Sequence, residues 1–138
     1  MNVTIIGGGR VGLPAATGLA MLGHCVVCCE CDTNRRNVAA MGRAPFVDKG
    51  LDDALAKTVK SGALRFCADV VAAVANADAV MVSVPVSDED NGLEGLQAIV
   101  ADVAAVAPPN CVLVIKSTVL PGTCTYLQSM FNIREGLI

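Results

Sequence analysis

Five short apolar runs, at residues 2–6, 25–30, 64–67, 79–84 and 111–115, divide this chain, and every gap between them holds a segment of helical periodicity. The helical segments are about 10–22, closed by Gly23; Asp32 or Thr33 through Met41; 51–60, closed by Gly62; 69–76, capped by Asp69; and 93–107, stopped by Pro108 and Pro109. A last helix follows Pro121 and Gly122 and reaches about Phe131, and Leu137 and Ile138 read as the start of a sixth strand. A strand that must return through a helix before its neighbour forms can only lie parallel to it. The run 79–84 is almost wholly apolar, as a strand covered on both faces requires. The expectation is one three-layer α/β domain: a doubly wound parallel sheet of order 3-2-1-4-5, with its ligand crevice at the carboxyl ends of strands one and four. The residues that matter then stand just past the strand ends: 7–12, Glu30, 84–87 and 116–118.

The first strand end carries G-x-G-x-x-G at Gly7, Gly9 and Gly12, placed between an apolar strand and a small-residue helix. Gly7 permits the tight turn off the strand, Gly9 lets a pyrophosphate approach the main chain, and Gly12 lets the helix sit close on the sheet. Amides around Arg10 and Val11, at the positive end of the helix dipole, face the phosphates. Pro14 falls in the first helical turn, where its missing N–H costs little. Glu30 ends the second strand, 18 residues beyond Gly12. A carboxylate there accepts hydrogen bonds from both ribose hydroxyls and repels a 2′-phosphate, so the loop selects NAD over NADP. Arg35 packs beside the adenine ribose.

Composition narrows the partners. The chain has 138 residues, 54% of them hydrophobic but only 3% aromatic, so Val, Ala, Leu and Ile build the core. A net charge of −3 without a basic cluster excludes nucleic acid. The longest apolar tract, 68–86, is broken by Asp69, Asn76 and Asp78, and the chain opens on a strand with no basic leader, so neither a membrane span nor a signal peptide is expected. The chain reads as cytoplasmic. Of seven cysteines, Cys25, Cys29 and Cys31 alternate against Cys28 along one strand, which prevents a tetrahedral thiolate site. The cysteines read as small buried hydrophobes in a reducing compartment, with Cys67, Cys111 and Cys124 isolated. His24, at a helix-to-strand turn, is assigned no chemistry. Asp88, Glu89 and Asp90 read as a solvated turn rather than a metal site.

After the fifth strand comes Lys116-Ser117-Thr118-Val119-Leu120-Pro121-Gly122-Thr123. Hydroxyls at a strand's carboxyl end can reach a ligand near the sheet's centre, or cap the helix that follows. The octapeptide closely resembles the K-S-T-V-x-P-G-T signature of the UDP-glucose/GDP-mannose 6-dehydrogenase family. Val11-Gly12-Leu13-Pro14, Gly50-Leu51, residues 61–66 and Ala77-Asp78-Ala79 are similar to further segments of that family. The resemblance implies an NAD-binding Rossmann domain over residues 1–138 of an oxidoreductase that converts the C6 alcohol of a nucleotide sugar to a carboxylate. It implies cofactor contacts at Gly7, Gly9, Arg10, Val11, Gly12, Glu30, Arg35, Val84, Pro85, Val86, Ser117 and Thr118. It also implies that Thr118 lies near the nicotinamide and helps hold a catalytic water.

The departures are as informative. Val86 stands where the family usually has a threonine after the fourth strand, with Ser87 beside it as the nearest hydroxyl. Val47-Asp48-Lys49-Gly50-Leu51 replaces a Y-E-P-G-L segment. The family's nucleophilic cysteine motif, catalytic lysine and asparagine, and N-P-E-F glutamate have no counterpart. The catalytic and sugar-nucleotide-binding domains, with the oligomer contacts they carry, are therefore expected outside these residues, and turnover by the chain alone is not expected. The alternatives are a stand-alone NAD-binding or regulatory module, or a β-hydroxyacid-type dehydrogenase domain.

Overall fold

The computed structural model describes residues 1–86 and 93–131. Its strands are β1 (Asn2–Ile6), β2 (Cys25–Cys29), β3 (Leu64–Cys67), β4 (Ala79–Val82) and β5 (Val112–Ile115). They form one sheet of order β3-β2-β1-β4-β5, parallel throughout, as the alternation of strand and helix requires. The helices are α1 (Gly12–Met21), α2 (Thr33–Ala40), α3 (Leu51–Lys60), α4 (Val70–Val74), α5 (Leu93–Val106) and α6 (Thr123–Met130).

Alternation along each strand separates two cores. Val3 and Ile5 of β1, with Val26 and Cys28 of β2, pack on Leu13, Ala16 and Ala20 of α1 and Leu55 of α3. Ile6, Cys29, Val80 and Val82 face the other way, toward Val74 of α4, Leu96, Val100 and Val103 of α5, and Leu127 of α6. Cys28 and Cys29 thus lie in different cores. Small residues on α1 let its axis approach the sheet, which suits a chain with few aromatic anchors.

Local chemistry fixes the helix ends. Asp32 Oδ1 accepts from the Arg35 amide at 2.9 Å, and Asp69 Oδ1 from the Ala72 amide at 3.1 Å, so both act as N-caps. α3 places Asp52 and Asp53 in its first turn and Lys57 and Lys60 near its end, each sign opposite the helix charge it meets.

Several boundaries differ from the sequence expectation. α1 starts at Gly12, two residues past Arg10, because residues 9–11 form the turn that closes onto the helix through Leu13 N–H to Gly9 C=O at 3.0 Å. β4 ends at Val82 rather than Val84. The Val82 carbonyl accepts from both the Lys116 and Ser117 amides, and the Val84 carbonyl takes the Ser117 hydroxyl instead of a ladder amide. Pro85 has no N–H to extend the strand. The expected turn at 87–92 and the expected strand at Leu137 and Ile138 lie outside the described residues.

Candidate functional site

Register assembles the site. Ile6 pairs with Cys29 and with Val82, Cys29 pairs with Cys67, and Val82 pairs with Ile115. The five strands therefore end on one row, and the next residue of each stands on a common rim: Gly7, Glu30, Ala68, Ser83 and Lys116. All five line a cleft of about 770 Å³. That volume lies in the range of cofactor and ligand sites.

The glycine loop rises from the middle of the row. Gly7 has φ +100°, and a Cβ there would stand 2.6 Å from the Ser83 carbonyl oxygen. At Gly12 a Cβ would overlap the Gly7 carbonyl oxygen and the Ser83 hydroxyl. The start of α1 thus sits directly on the loop, and Ser83 Oγ donates to the Gly7 carbonyl at 3.1 Å from beneath. Gly9 differs: a Cβ would meet nothing within 4 Å, so the main chain there opens into the cleft. Among the described residues no acceptor takes the amides of Arg10 and Val11, and no side chain caps α1. An open backbone at Gly9, free amides and a helix start without an acidic residue fit a diphosphate.

Glu30 is buried, with 6% of its surface exposed. Its Oε2 accepts from the Gly8 amide at 3.0 Å and its Oε1 from the Asp32 amide at 2.9 Å. The carboxylate therefore ties the β2 end to the glycine loop while lining the cleft. A carboxylate offers about four lone-pair directions, so acceptor capacity remains for ribose hydroxyls. Arg36 braces the same turn, donating from Nη1 to the Glu30 carbonyl at 2.7 Å and the Cys31 carbonyl at 3.3 Å. Arg35, one residue earlier, is exposed and lines the cleft.

On the far side, Val84, Pro85, Val86, Ser117 and Thr118 line the cleft, as their positions after β4 and β5 lead one to expect. Ser117 Oγ donates to the Val84 carbonyl at 2.7 Å and locks β4 to β5. Thr118 is exposed beside it. Neither residue caps α6, whose N-cap is Gly122 with φ +89°.

Of the cofactor contacts expected from the sequence, all but Gly12 line the cleft; Gly12 supports the loop from below, and Ser87 lies outside the described residues. The sequence assigns no role of their own to Gly8, Ser83 or Arg36. The signal for Ser83 was its place one residue past the strand that pairs with β1. Gly8 is constrained because a Cβ would crowd Glu30 and Cys28 at 3.1–3.4 Å.

The cysteines divide. Burial, helped by the Glu30 carboxylate, pushes the Cys28 thiol up to about 12, and burial with Cys67 alongside does the same for Cys29. These two are inert hydrophobes. Cys25 and Cys31 are exposed, contrary to the expectation of burial: Cys25 opens β2, and Cys31 lies two residues past its end, at the cleft. Cys67 is not isolated either, since it pairs in register with Cys29.

Residues 1–135 match the family described as UDP-glucose/GDP-mannose dehydrogenase family, NAD binding domain. The chain belongs to this family. NAD is the cofactor of this domain. Among curated relatives, the chain is 36% identical over 127 residues to UDP-glucose 6-dehydrogenase of Rhizobium meliloti, covering 89% of this chain and 29% of that protein. It is 30% identical over 129 residues to GDP-mannose 6-dehydrogenase of Pseudomonas savastanoi pv. phaseolicola, covering 89% of this chain and 30% of the relative. Among solved structures, a UDP-glucose dehydrogenase from Pyrobaculum islandicum superposes with a TM-score of 0.86 at 29% identity, over 99% of this chain and 33% of that one. The NAD-binding domain described here spans about a third of the length of these relatives.

Proposed function

We propose that this chain performs the cofactor-holding part of a nucleotide-sugar 6-dehydrogenase, in which the C6 alcohol of a UDP- or GDP-sugar is oxidised to a carboxylate. The observation that carries the reading is the common rim: five strand ends in register, with an open glycine loop at the centre, a buried carboxylate on one side and Ser117-Thr118 on the other. Taking an alcohol carbon to a carboxylate releases two hydrides, so two NAD molecules bound in turn would supply the acceptors.

Each element of the rim contributes separately. The amides of residues 9–11 and the start of α1 hold the diphosphate. Glu30, fixed by two backbone amides, accepts from the adenine ribose and repels a 2′-phosphate. Arg35 flanks that ribose. Val84, Pro85 and Val86 wall the cleft toward the nicotinamide end. Ser117 fixes the loop on which Thr118 stands, and Thr118 positions a water at the rim. Val86 offers the cofactor no hydroxyl where the family usually has a threonine. Sugar recognition and oligomer contacts belong to protein beyond this rim. The seven unpaired thiols support a reducing, cytoplasmic setting.

Amide spectra of the ¹⁵N-labelled chain during NAD addition test this reading. Shifts concentrated at residues 7–12, Glu30 and 116–118, without NAD reduction when UDP-glucose or GDP-mannose is added, are expected. Shifts scattered away from the rim, or robust NADH production by the chain alone, would contradict it.

A further inference from the structure

The glycine loop carries a cation whose side chain the backbone contacts leave unused. Arg10 is exposed and lines the cleft at the loop itself. Its guanidinium carbon lies 5.5 Å from the centroid of the Phe46 ring, the geometry of a cation–π contact. Phe46 is half-buried. It packs on the core under α1 and α3. Its segment is pinned by the Ala44 amide donating to Asp52 Oδ1 at 2.6 Å and by Gly42 turning against Ala56 at φ +77°.

A guanidinium held over a ring by a cation–π contact keeps N–H groups free, and these suit phosphate oxygens. Holding the side chain on Phe46 beforehand also lowers the entropy lost on binding. The other cations of the cleft stand elsewhere. Arg35 stands by Glu30 and Asp32 on one side, and Lys116 stands past β5 on the other. Arg36 is committed to the Glu30 and Cys31 carbonyls.

We infer that the Arg10 side chain, set by Phe46, is the charged ligand of the dinucleotide's diphosphate, and that it adds a salt-sensitive component to the backbone contacts of the loop. The inference rests on the cleft being the dinucleotide site. The 42–50 segment then serves to hold the ring that aims the arginine.

The test compares adenosine, ADP and NAD, titrated into the full chain at low and high salt and followed by amide shifts, in the wild type, Arg10→Gln, Arg10→Lys and Phe46→Leu. Arg10→Gln should weaken ADP and NAD alike by about fivefold at low salt and leave adenosine unchanged, with the difference shrinking as salt rises. Phe46→Leu, which keeps the segment apolar, should weaken ADP by about two- to threefold, and Arg10→Lys should fall between wild type and Arg10→Gln. Equal ADP affinity in wild type and Arg10→Gln would overturn the inference, as would an adenosine loss as large as the ADP loss. A wild type that binds ADP but not NAD, with the Arg10 effect on ADP intact, would support the arginine's role while refuting the dinucleotide reading. Failure of the wild type to bind ADP would overturn both.

Discussion

The tightest packing in the site is at Gly12, and a pair of glycine substitutions on one helix isolates its effect. Gly12 and Gly18 both lie in α1, and neither has a positive φ. Replacing a helical glycine by alanine is worth about 0.5–1 kcal/mol when the methyl meets no obstacle. At Gly18 nothing stands within 4 Å of a Cβ, so Gly18→Ala should raise stability by about that amount. At Gly12 the Cβ would overlap the Gly7 carbonyl oxygen and the Ser83 hydroxyl. Neither can retreat easily, because Gly7 is packed on the Ser83 main chain and Ser83 Oγ is bonded to Gly7. Overpacking of this kind costs about 1–3 kcal/mol, and the helical gain offsets less than about 1 kcal/mol of it. Gly12→Ala should therefore destabilise by about 1–2 kcal/mol, or by more if α1 must lift from the loop. Urea unfolding of both variants reads this directly, as opposite shifts of midpoint at unchanged slope. Thermal midpoints should separate by roughly 5–10 °C. Gly12→Ala should also lose NAD, since α1 and the loop move together. Equal stability of the two variants would refute the packing argument.

Three further expectations follow from other contacts. Glu30→Gln replaces one acceptor by a donor facing the Gly8 or Asp32 amide, so it should cost about 1–3 kcal/mol in urea unfolding and weaken the preference for NAD over NADP. Cys28, whose thiol is raised from 9.0 to about 12, keeps its proton in the fold at pH values where the unfolded chain has lost it. Stability should thus be fully retained below about pH 9 and fall as pH rises toward 12, and Cys28→Ala should flatten that alkaline slope. Ser117→Ala removes the donor to the Val84 carbonyl and should cost about 0.5–1.5 kcal/mol while loosening the Thr118 loop, seen as faster amide exchange there.

The sheet was legible because its signals are local and repeated. Each apolar run and the helix after it determine a parallel crossover, and the strand order follows from the position of the glycine loop. The rim followed as well, since the residue after each strand is readable once the strand is. The fine structure of the rim was not. That Glu30 spends both oxygens on backbone amides depends on how far β2 and the loop stand apart, which no spacing along the chain encodes. Arg36, rather than Arg35, braces the turn because Asp32 caps α2 and sets the rotation of its first turn. β4 stopped short for a reason visible only with β5 beside it, where one carbonyl serves two amides. Phe46 lies far from the loop in sequence, and only tertiary packing brings its ring under Arg10.

On the proposed function, the carboxyl-end rim holds NAD and Glu30 selects it over NADP. Calorimetric titration of the chain with NAD and with NADP, repeated for Glu30→Ala, tests it most directly. NAD should bind the wild type at least about tenfold more tightly than NADP, a difference of about 1.4 kcal/mol, and Glu30→Ala should weaken NAD while narrowing the gap. Equal binding of the two cofactors by the wild type, or a preference that survives the loss of Glu30, would contradict it.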